Sequence, residues 1–461
     1  MNYAESVRYL LTLGRELASP QHARAAKFDL QNIRAICDRM GHPERAFKSV
    51  HIAGTNGKGS TAAMLASILQ EGGLRCGLYT SPHLLRINER IRLNGSEISD
   101  EQFAESFRRA LAVIEELLTR GILSAHPTYF ECLTAMAFDV FARARVDIAV
   151  IEVGMGGRLD STNVIIPEVA VITQIDFDHE QFLGHSIEEI AAEKAGIIKP
   201  ESCVVSAANN SAAAEVIRRK AAQVGAHVTE IDESCRFSIS SAASGVYQFT
   251  VDRSARFTTG SPQSLHIGLS LPGRFQIRNA VTAIAAAELL TQRGFAIGDD
   301  AIVRGLKRVR WPGRLELVQD RPALYLDGTH NPAGARELAA FWREHLMGRR
   351  IHLVYGAMRD KAIDEVAGIL FPCAMTVILT QSPQLRSISV EALRQMTAHL
   401  AGSVEVVRDP GAALERALEV ANVDDVIFAT GSLYLVGDWQ RHWNSRSATG
   451  HTERARKVPA L

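Results

Sequence analysis

The sequence predicts an α/β protein of two domains, and three observations lead to that prediction. Short apolar segments recur between residues 49 and 175 and again between 323 and 429, with helical patterns between them. Parallel strands covered on both faces have apolar side chains at nearly every position, so these segments indicate parallel sheets. A glycine-rich turn joins the first strand to a helix, which is typical of P-loop-type domains. At 461 residues, the chain is too long for one ordinary hydrophobic core.

The N-terminal part opens with a helical pattern over residues 5–40, where apolar positions recur at helical spacing up to Gly41-His42-Pro43. A further helix is predicted from Ser60 to about Gln70. The predicted strands are Ser49–Ala53, Cys76–Tyr79, Asp147–Val153 and Val169–Ile175. Between 201 and 272 the pattern changes, and the alternation over Val246–Val251 predicts an antiparallel flap.

Arg310-Trp311-Pro312-Gly313-Arg314 interrupts the patterns on both sides and is predicted to be a hinge. A second alternation of strands and helices follows it. The strands predicted there are Ala323–Leu326, Ile351–Tyr355, Thr376–Thr380, Val404–Val407 and Val426–Ala429. We therefore predict a larger α/β domain over 1–309 and a smaller, Rossmann-like C-terminal domain over 310–443. The polar, basic stretch 444–461 is predicted to be a disordered tail.

Composition narrows the class of protein. Hydrophobic residues make up 46% of the chain and charged residues 22%, and 51 basic side chains balance 51 acidic ones. Such a balance gives no reason to expect nucleic acid or an anionic membrane as a partner. The N-terminus lacks the pattern of a signal peptide, and no apolar run approaches the ~20 residues that span a bilayer. We expect a cytoplasmic protein.

The glycine-rich turn Gly54-Thr55-Asn56-Gly57-Lys58-Gly59-Ser60 is the strongest chemical signal. Backbone N–H groups at a helix start can bind phosphate oxygens, and Lys58 adds a positive charge. The hydroxyl of Ser60 can bind a magnesium ion. The spacing departs from G-x-x-x-x-G-K-[ST], because Gly59 separates the lysine from the serine. These features predict a nucleotide phosphate site.

Polar residues at two strand ends suggest a metal site beside this loop. Glu152 ends an apolar strand, where a carboxylate is costly unless it faces a metal, a partner or water. His179 follows the next strand. A capping box that begins at Ser186 predicts the start of a helix, and Lys194 lies on that helix. Ligands bind at this edge of open α/β sheets. A histidine or a helix lysine taken alone is more often structural or solvated, so those alternatives stay open.

The phosphate loop, followed by Leu78-Tyr79-Thr80-Ser81-Pro82-His83-Leu84, closely resembles the folylpolyglutamate synthase and dihydrofolate synthase family within the Mur ligase superfamily. The resemblance runs from Phe28-Asp29-Leu30 to Gly431-Ser432. It implies an ATP- and magnesium-dependent ligase that joins glutamate to a pterin-containing acid through an acyl phosphate. Phosphorylation is needed because the oxygen of a carboxylate is a poor leaving group.

The resemblance also implies roles for individual residues. Glu152 and Ser81 would bind one magnesium ion, and His179 would bind a second. Carbon dioxide would carbamylate Lys194, which turns a cation into a carboxylate that helps to hold metal. The residues implied in catalysis are Lys58, His179 and Lys194.

Nucleotide and substrate contacts follow from the same resemblance. Asn279 would face adenine, while Arg314, Asp327 and His330 would reach the nucleotide from the second domain, so that closure completes the site. The residues implied for the pterin acid are Asp29, Leu30, Thr128, Phe130 and Asp160. Helix capping remains an alternative for Asn279 and Asp327, and core packing for Phe130. Glutamate is expected to bind to the second domain, at a basic group near the cleft.

These features are compatible with three functions. The favoured one is a folate–glutamate ligase acting on dihydropteroate, on folyl-polyglutamates or on both, which the resemblance implies to be a monomer. Another Mur-type amide ligase, such as one acting on a cell-wall precursor, would need an N-terminal nucleotide-sugar domain, yet the phosphate loop already begins at Gly54. A nucleotide-binding regulator without ligase activity is disfavoured because Glu152, His179 and Lys194 are all present.

Overall fold

A computed structural model describes residues 1–13, 29–243, 245–253, 264–359, 361–400 and 404–456. The chain forms two compact units. One comprises Met1–Pro82 and Ile87–Trp311, and the other comprises His83–Arg86 and the chain from Pro312 onward. The chain leaves the first unit between Trp311 and Pro312, inside the segment predicted to be a hinge.

The first unit contains a large, mostly parallel sheet. Its strands are β1 (Lys48–Ala53), β2 (Cys76–Tyr79), β3 (Ile91–Leu93), β4 (Ser96–Glu97), β5 (Ile148–Glu152), β6 (Val169–Ile172), β7 (Cys203–Ser206) and β8 (His227–Glu230). The order across the sheet is β4-β3-β2-β5-β1-β6-β7-β8. Strands β3 and β4 are antiparallel to their neighbours, and all other pairs are parallel. This arrangement confirms the predicted sheet.

Helices cover both faces of this sheet. They are α1 (Tyr3–Thr12), α2 (Gln31–Arg39), α3 (Lys58–Glu71), α4 (Asp100–Thr119), α5 (Tyr129–Ala144), α6 (Glu180–Leu183), α7 (Ile187–Ala195), α8 (Ser211–Val224), α9 (Ile231–Ser234), α10 (Phe275–Gln292) and α11 (Asp299–Arg308). Alternate residues of β5 point to opposite faces. Ile148 and Val150 pack with α3 and α10, whereas Ala149 and Ile151 pack with α4 and α5. Burial on both faces explains the continuous apolar strands.

Two helices are described within the stretch predicted to be helical over residues 5–40. Helix α1 ends at Thr12, α2 begins at Gln31, and residues 14–28 lie outside the described residues. Asp29 marks the second start, because its Oδ1 accepts a hydrogen bond from Gln31 N at 2.8 Å. Such a bond from the backbone two residues on is an Asx turn, which aspartate favours.

The antiparallel flap is confirmed but is shorter than predicted. It consists of β9 (Cys235–Ala243), β10 (Val246–Arg253) and β11 (Ser264–Gly268), in the order β11-β10-β9. Tyr247, Phe249 and Val251 are buried alternately along β10 and join the core beside α3 and α10. The change of pattern predicted from residue 201 begins later in the structure, because residues 203–230 continue the parallel sheet as β7, α8 and β8.

The second unit has its own sheet of β12 (Glu316–Asp320), β13 (Ala323–Leu326), β14 (Ile351–Tyr355), β15 (Thr376–Leu379), β16 (Val404–Val406) and β17 (Val426–Thr430). The order is β12-β13-β17-β14-β15-β16, with only β12 antiparallel to its neighbour. The helices are α12 (Pro332–His345), α13 (Ile363–Leu370), α14 (Val390–Thr397), α15 (Pro410–Val420) and α16 (Leu433–Arg456). This confirms the smaller α/β domain.

The predicted disordered tail is wrong for its described part, because α16 continues to Arg456. Trp439 anchors this helix: it is fully buried, and its Nε1 donates to Pro410 O at 3.0 Å. Once a helix is anchored, each added residue costs little, so the polar sequence after Asn444 extends it. In the ranges given above, no helix is long and apolar enough to cross a membrane.

Candidate functional site

Four neighbouring parallel strands end at one edge of the first sheet, in the order β2, β5, β1 and β6. Their register places Ile52 beside Glu152 and Ala53 beside Ile172. The loop Gly54–Ser60, called here the phosphate loop, leaves the end of β1. The strand-end residues predicted separately from the sequence therefore lie on both sides of this loop, where ligands of open α/β sheets bind.

Glycine is required at two positions of the phosphate loop. Gly54 has a φ of +150°, and a Cβ there would lie 1.8 Å from the Oγ1 of Thr173. Thr173, at the end of β6, donates from that oxygen to Asn56 O at 2.7 Å. Gly57 has a φ of +86°, a left-handed conformation that glycine adopts without strain. The loop thus presents backbone rather than side chains, which leaves room for a phosphate.

Lys58 is the first residue of α3. Its Nζ donates to Gly54 O at 3.1 Å and to Thr55 O at 3.2 Å, so its charge is held along the loop. Gly57 precedes the helix and provides no capping side chain. The first N–H groups of α3 have no partner within the helix, and such groups bind anions well.

The loop is also tied to the segment after β6. Thr55 Oγ1 donates to Asp176 O at 2.9 Å and accepts from Asp176 N at 3.1 Å. Three residues later, His179 precedes α6 with a left-handed φ of 51°. Its N–H donates to Asp178 Oδ1 at 3.0 Å, and its Nε2 lies 3.8 Å from Asp178 Oδ2. The two hydrogen bonds between Thr55 and Asp176 therefore fix the chain three residues before His179 to the phosphate loop.

Lys194, on α7, reaches the same loop. It is 4% exposed, and its Nζ donates to Gly54 O at 2.8 Å. Burial, and to a smaller extent the charge of Lys58, lowers the pKa of Lys194 to about 7, while the carboxylates of Asp178 and Asp160 oppose that shift. A large neutral fraction is therefore present near neutral pH, and the neutral amine is the form that reacts with carbon dioxide.

Glu152 and Ser81 lie together at the ends of β5 and β2. Glu152 is 4% exposed, and its Oε2 accepts from Ser81 N at 3.1 Å. The carboxylate of Glu152 and the hydroxyl of Ser81 are oxygen ligands, which hard divalent cations prefer. Among the described residues, no three His, Cys, Asp or Glu side chains form a ready-made metal site. Magnesium is commonly bound by one or two carboxylates together with substrate phosphates, so this partial set fits the ion.

Helix α10 contributes two amides to the loop. A Cβ on Gly57 would lie 2.3 Å from Asn279 Oδ1, so Asn279 contacts the loop closely. Its Nδ2 donates to Gln276 Oε1 at 2.8 Å, and Gln276 Nε2 donates to Ser60 Oγ at 3.3 Å. Gln276 was not predicted as a site residue. Its spacing of three residues from Asn279, on one helix face, is the signal that could have found it.

Trp311 lies against the start of α3. A Cβ on Gly59 would lie 3.1 Å from Trp311 Nε1. The guanidinium of Arg92 stacks on the same indole, 5.3 Å from the ring centroid. The indole thus explains why a glycine can stand between Lys58 and Ser60 where other phosphate loops have none.

Two of the residues predicted for the pterin acid lie at the start of α5. Phe130 is half-buried, with its ring centroid 5.9 Å from that of Tyr79 and its Cζ 2.5 Å from where a Gly154 Cβ would be. This places it beside the strand end that carries Glu152. Thr128 is exposed, and its hydroxyl accepts from Glu131 N, so it caps the helix.

Asp160 is buried within its own loop. Its Oδ2 accepts from Met155 N at 3.0 Å, while its Oδ1 accepts from the N–H of Thr162 at 3.0 Å and from the Thr162 hydroxyl. Burial raises the pKa of Asp160, partly offset by these hydrogen bonds. The carboxylate therefore holds its loop, and a pterin contact stays a prediction. Asp29 and buried Leu30 lie at the start of α2, and their predicted role likewise stays untested.

In the second unit, Asp327 ends β13 and is 3% exposed. Its Oδ2 accepts from Leu315 N and its Oδ1 from Thr329 N, both at 2.9 Å. The carboxylate thus ties together two turns of its own unit. A ribose contact, as predicted, stays a prediction.

Arg314 and His330 lie on either side of Gly328 in this unit. A Cβ on Gly328 would lie 2.5 Å from Arg314 Nη1, and the Nδ1 of His330 is 2.8 Å from Gly328 O. The structure therefore groups the three residues predicted to reach the nucleotide from the second domain, Arg314, Asp327 and His330, within one turn region.

Comparison with known proteins gives close relatives over nearly the whole chain. The Mur ligase middle domain matches residues 52–287, and the Mur ligase glutamate ligase domain matches residues 313–433. The Bacillus subtilis dihydrofolate synthase/folylpolyglutamate synthase is 37% identical over 411 residues, which cover 89% of this chain and 93% of that protein.

Solved structures match as well. The Escherichia coli FolC complex with DHPP and ADP has a TM-score of 0.84 at 27% identity, covering 97% of this chain and 99% of that chain. The bifunctional Yersinia pestis folylpolyglutamate synthase/dihydrofolate synthase, complexed with AMPPNP and Mn ion, has a TM-score of 0.81 at 30% identity. It covers 96% of this chain and 98% of that chain.

Proposed function

Because this chain belongs to the folylpolyglutamate synthase/dihydrofolate synthase family of Mur ligases, we propose that it joins L-glutamate to dihydropteroate and to folyl-polyglutamates with consumption of ATP. It is an ATP-dependent, amide-forming ligase that uses a nucleotide and a divalent metal ion. The family resemblance drawn from the sequence motifs is confirmed.

One structural observation supports the proposal most directly. The phosphate loop, the buried carboxylate of Glu152 and the buried amine of Lys194 meet at a single sheet edge. A phosphate site alone would fit any nucleotide-binding protein. A buried acid beside that loop and a buried lysine in contact with it are groups that a metal-assisted phosphoryl transfer can use.

The loop would hold the β- and γ-phosphates of ATP. The first N–H groups of α3 would bind these phosphates, and Lys58 would move from the carbonyls of Gly54 and Thr55 to the phosphate oxygens. Ser60, Ser81, Glu152 and His179 would hold magnesium; the ion, when bound, offsets negative charge on the phosphates. We propose two ions, one beside Glu152 and one beside His179.

The reaction would proceed in two displacements. An oxygen of the substrate carboxylate bonds to the γ-phosphorus, the bond to the bridging oxygen breaks, and ADP leaves. The neutral α-amine of glutamate then attacks the acyl carbon, inorganic phosphate leaves, and the nitrogen releases one proton. Lys58 and the loop N–H groups contribute by orienting the phosphoryl group and stabilising its charge, which is the main form of catalysis in such reactions.

We further propose that Lys194 is carbamylated. The lowered pKa supplies the neutral amine, and burial protects the carbamate from water. The new carboxylate would add an anionic oxygen ligand beside the phosphate loop. It would also remove the repulsion between two lysines that share Gly54 O as an acceptor.

Phe130 is our candidate for the flat pterin ring, because its ring is half-buried beside the strand end of Glu152. This position favours an acid bound near the metal ligands, as dihydropteroate would be. We propose that the enzyme is a cytoplasmic monomer. Sedimentation of the purified protein would test the monomeric state.

The proposal is tested by phosphate release with ATP, magnesium and glutamate, with dihydropteroate or tetrahydrofolate as acceptor. Turnover with both acceptors is the expected result and would establish a bifunctional synthase. Turnover with tetrahydrofolate alone would reduce the function to folylpolyglutamate synthesis. Tight ATP binding without turnover on either acceptor would contradict the folate assignment and favour another Mur-type acid.

A further inference from the structure

Gln276 is a buried polar residue that the reaction described above does not use. It lies in the first turn of α10 with no exposed surface. Both ends of its amide are engaged: Nε2 donates to Ser60 Oγ, and Oε1 accepts from Asn279 Nδ2. A buried amide loses stability if either end is left without a partner, so its orientation is fixed.

This fixed amide decides which way Asn279 faces. A carbonyl oxygen only accepts, so Gln276 Oε1 must meet the NH2 group of Asn279 and not its oxygen. The Oδ1 of Asn279 is thereby turned toward Gly57, where a Cβ would lie 2.3 Å from it. A flipped asparagine would set oxygen against oxygen. Asn279 therefore keeps one N–H donor and one carbonyl acceptor in a constant order.

That order matters for recognition of a purine. Adenine presents an acceptor, N7, next to a donor, the N6 amino group, and an asparagine amide can pair with both. Guanine presents two acceptors, N7 and O6, along the same edge, so a fixed donor–acceptor pair meets one of them with a repulsive oxygen. An asparagine free to rotate would lose part of this discrimination.

The other end of Gln276 reaches the phosphate side of the site. Ser60 is 3% exposed, and the hydrogen bond from Gln276 Nε2 occupies one lone pair of its hydroxyl. The hydroxyl proton and the second lone pair are thereby confined to the two remaining directions. One side chain thus orients a group expected at the base and a group expected at the phosphates.

We propose that Gln276 is a positioning residue that sets the preference for adenine by orienting Asn279 and, through Ser60, supports binding of the magnesium–nucleotide complex. The inference rests on the proposed nucleotide site and adds to it a specificity role for a side chain that does not itself touch the nucleotide.

The test compares dissociation constants and phosphate-release rates for the magnesium complexes of ATP and GTP. Gln276→Met is nearly isosteric and removes both hydrogen bonds. We expect it to lower the ATP:GTP preference about tenfold, the range of one good bidentate contact. Thr282→Val is the matched control, because Thr282 is buried on α10 and bonds only to Arg278 O within the helix. It should leave the preference unchanged.

Gln276→Glu distinguishes the hydrogen bond to Asn279 from the hydrogen bond to Ser60. It also provides a second test if the methionine variant does not fold. A carboxylate oxygen can still accept from Asn279 but no longer donates to Ser60. We expect the ATP preference to stay within about threefold of the wild type while affinity for magnesium–ATP falls. A collapse of the preference in this variant would overturn the inference.

Asn279→Ala distinguishes failure of this inference from failure of the proposed nucleotide site. If it lowers the ATP:GTP preference and Gln276→Met does not, the positioning role is wrong and the nucleotide site stands. If the wild type binds both nucleotides equally and Asn279→Ala changes nothing, base recognition at α10 is wrong, and the role of Gln276 falls with it.

Discussion

The amine of Lys194 donates a 2.8 Å hydrogen bond to the carbonyl oxygen of Gly54, the first residue of the phosphate loop. This contact is compatible with carbamylation, because a carbamate nitrogen keeps one hydrogen and can still donate it. The modification would therefore leave the lysine anchored and direct two new oxygens into the space beside the loop. Lys58 also donates to Gly54 O, so one carbonyl serves both lysines.

Carbamylation of Lys194 predicts a specific spectroscopic signal. In ¹³C-bicarbonate, the wild-type protein should show one slowly exchanging carbamate resonance near neutral pH, where a lysine of pKa about 7 is partly neutral. Lys194→Arg should lack the resonance, since a guanidinium stays protonated, and should lose ligase activity. An arginine variant with normal activity would rule out the carbamate as a metal ligand.

Removing the charge of Lys58 should abolish catalysis without unfolding the protein. Lys58→Ala loses a preorganised positive group at the phosphates, and we expect phosphate release to fall by about 10²–10³-fold or more. Lys307→Ala, at an exposed lysine of α11, is the control. Thermal melting should be nearly equal in both variants, and a collapse of the melting temperature in Lys58→Ala alone would mean that the lysine is chiefly structural.

His51 should make the first unit sensitive to acid. It is fully buried in β1, and burial lowers its pKa to about 3. Its Nε2 lies 2.8 Å from Thr162 Oγ1, and because that hydroxyl donates to Asp160, the histidine is the donor and its Nδ1 is left without a partner. Protonation would therefore create a buried positive charge whose new N–H group, at Nδ1, has no acceptor.

The resulting pH dependence has a definite sign. His51 is neutral in both states above pH 6.5, whereas below that value the unfolded chain binds a proton that the folded chain resists until about pH 3. Stability should fall by up to about 1.4 kcal/mol per pH unit in this window. Melting curves from pH 7 to 4.5 should show a shallower loss for His51→Leu than for the wild type, and parallel curves would contradict the assignment.

A buried ion pair ties the flap to two helices. Arg253 of β10 has a side chain only 2% exposed, and it pairs with Glu288 of α10 and, through two 2.8 Å contacts, with Asp299 of α11. Arg253→Met leaves Glu288 buried without its partner, and we expect a loss of about 3–5 kcal/mol in unfolding free energy.

Adding Glu288→Gln should recover part of that loss, because the uncompensated charge is gone. Burial already raises the pKa of Glu288 in the intact pair. Chemical denaturation of the single and double variants measures the coupling, and Arg236→Met on β9, at an exposed arginine, serves as the control. If the double variant is no more stable than Arg253→Met, the loss of unfolding free energy comes from lost packing of the arginine side chain instead.

Much of the fold was predictable because buried parallel strands leave a continuous apolar run. Ile351–Tyr355 and Ala323–Leu326 were predicted with their observed bounds for this reason. The phosphate loop could also be predicted from the sequence, because the backbone conformation at Gly54 and Gly57 requires glycine. The helical pattern over 5–40 did not show that α1 ends at Thr12, since helical spacing alone does not mark where a helix stops.

The remaining site residues could not be derived from sequence because their signals are ambiguous or distant. An acid after a strand can bind a ligand or cap a turn, and Asp160 and Asp327 accept backbone N–H groups of their own surroundings. Gln276 and Ser60 are 216 positions apart, so nothing local joins them. The helical end of α16 depends on the burial of Trp439, a tertiary contact.

Gly59 lies against Trp311, so the unusual spacing of the phosphate loop depends on the residue at 311 as well as on the residue at 59. Replacing Gly59 to restore a more common loop sequence would press a β-carbon onto an indole that Arg92 holds in place. In a library randomised at both positions, active clones with a larger residue at 59 should therefore carry a smaller one at 311. Grafting a phosphate loop into this scaffold would require exchanging the pair together.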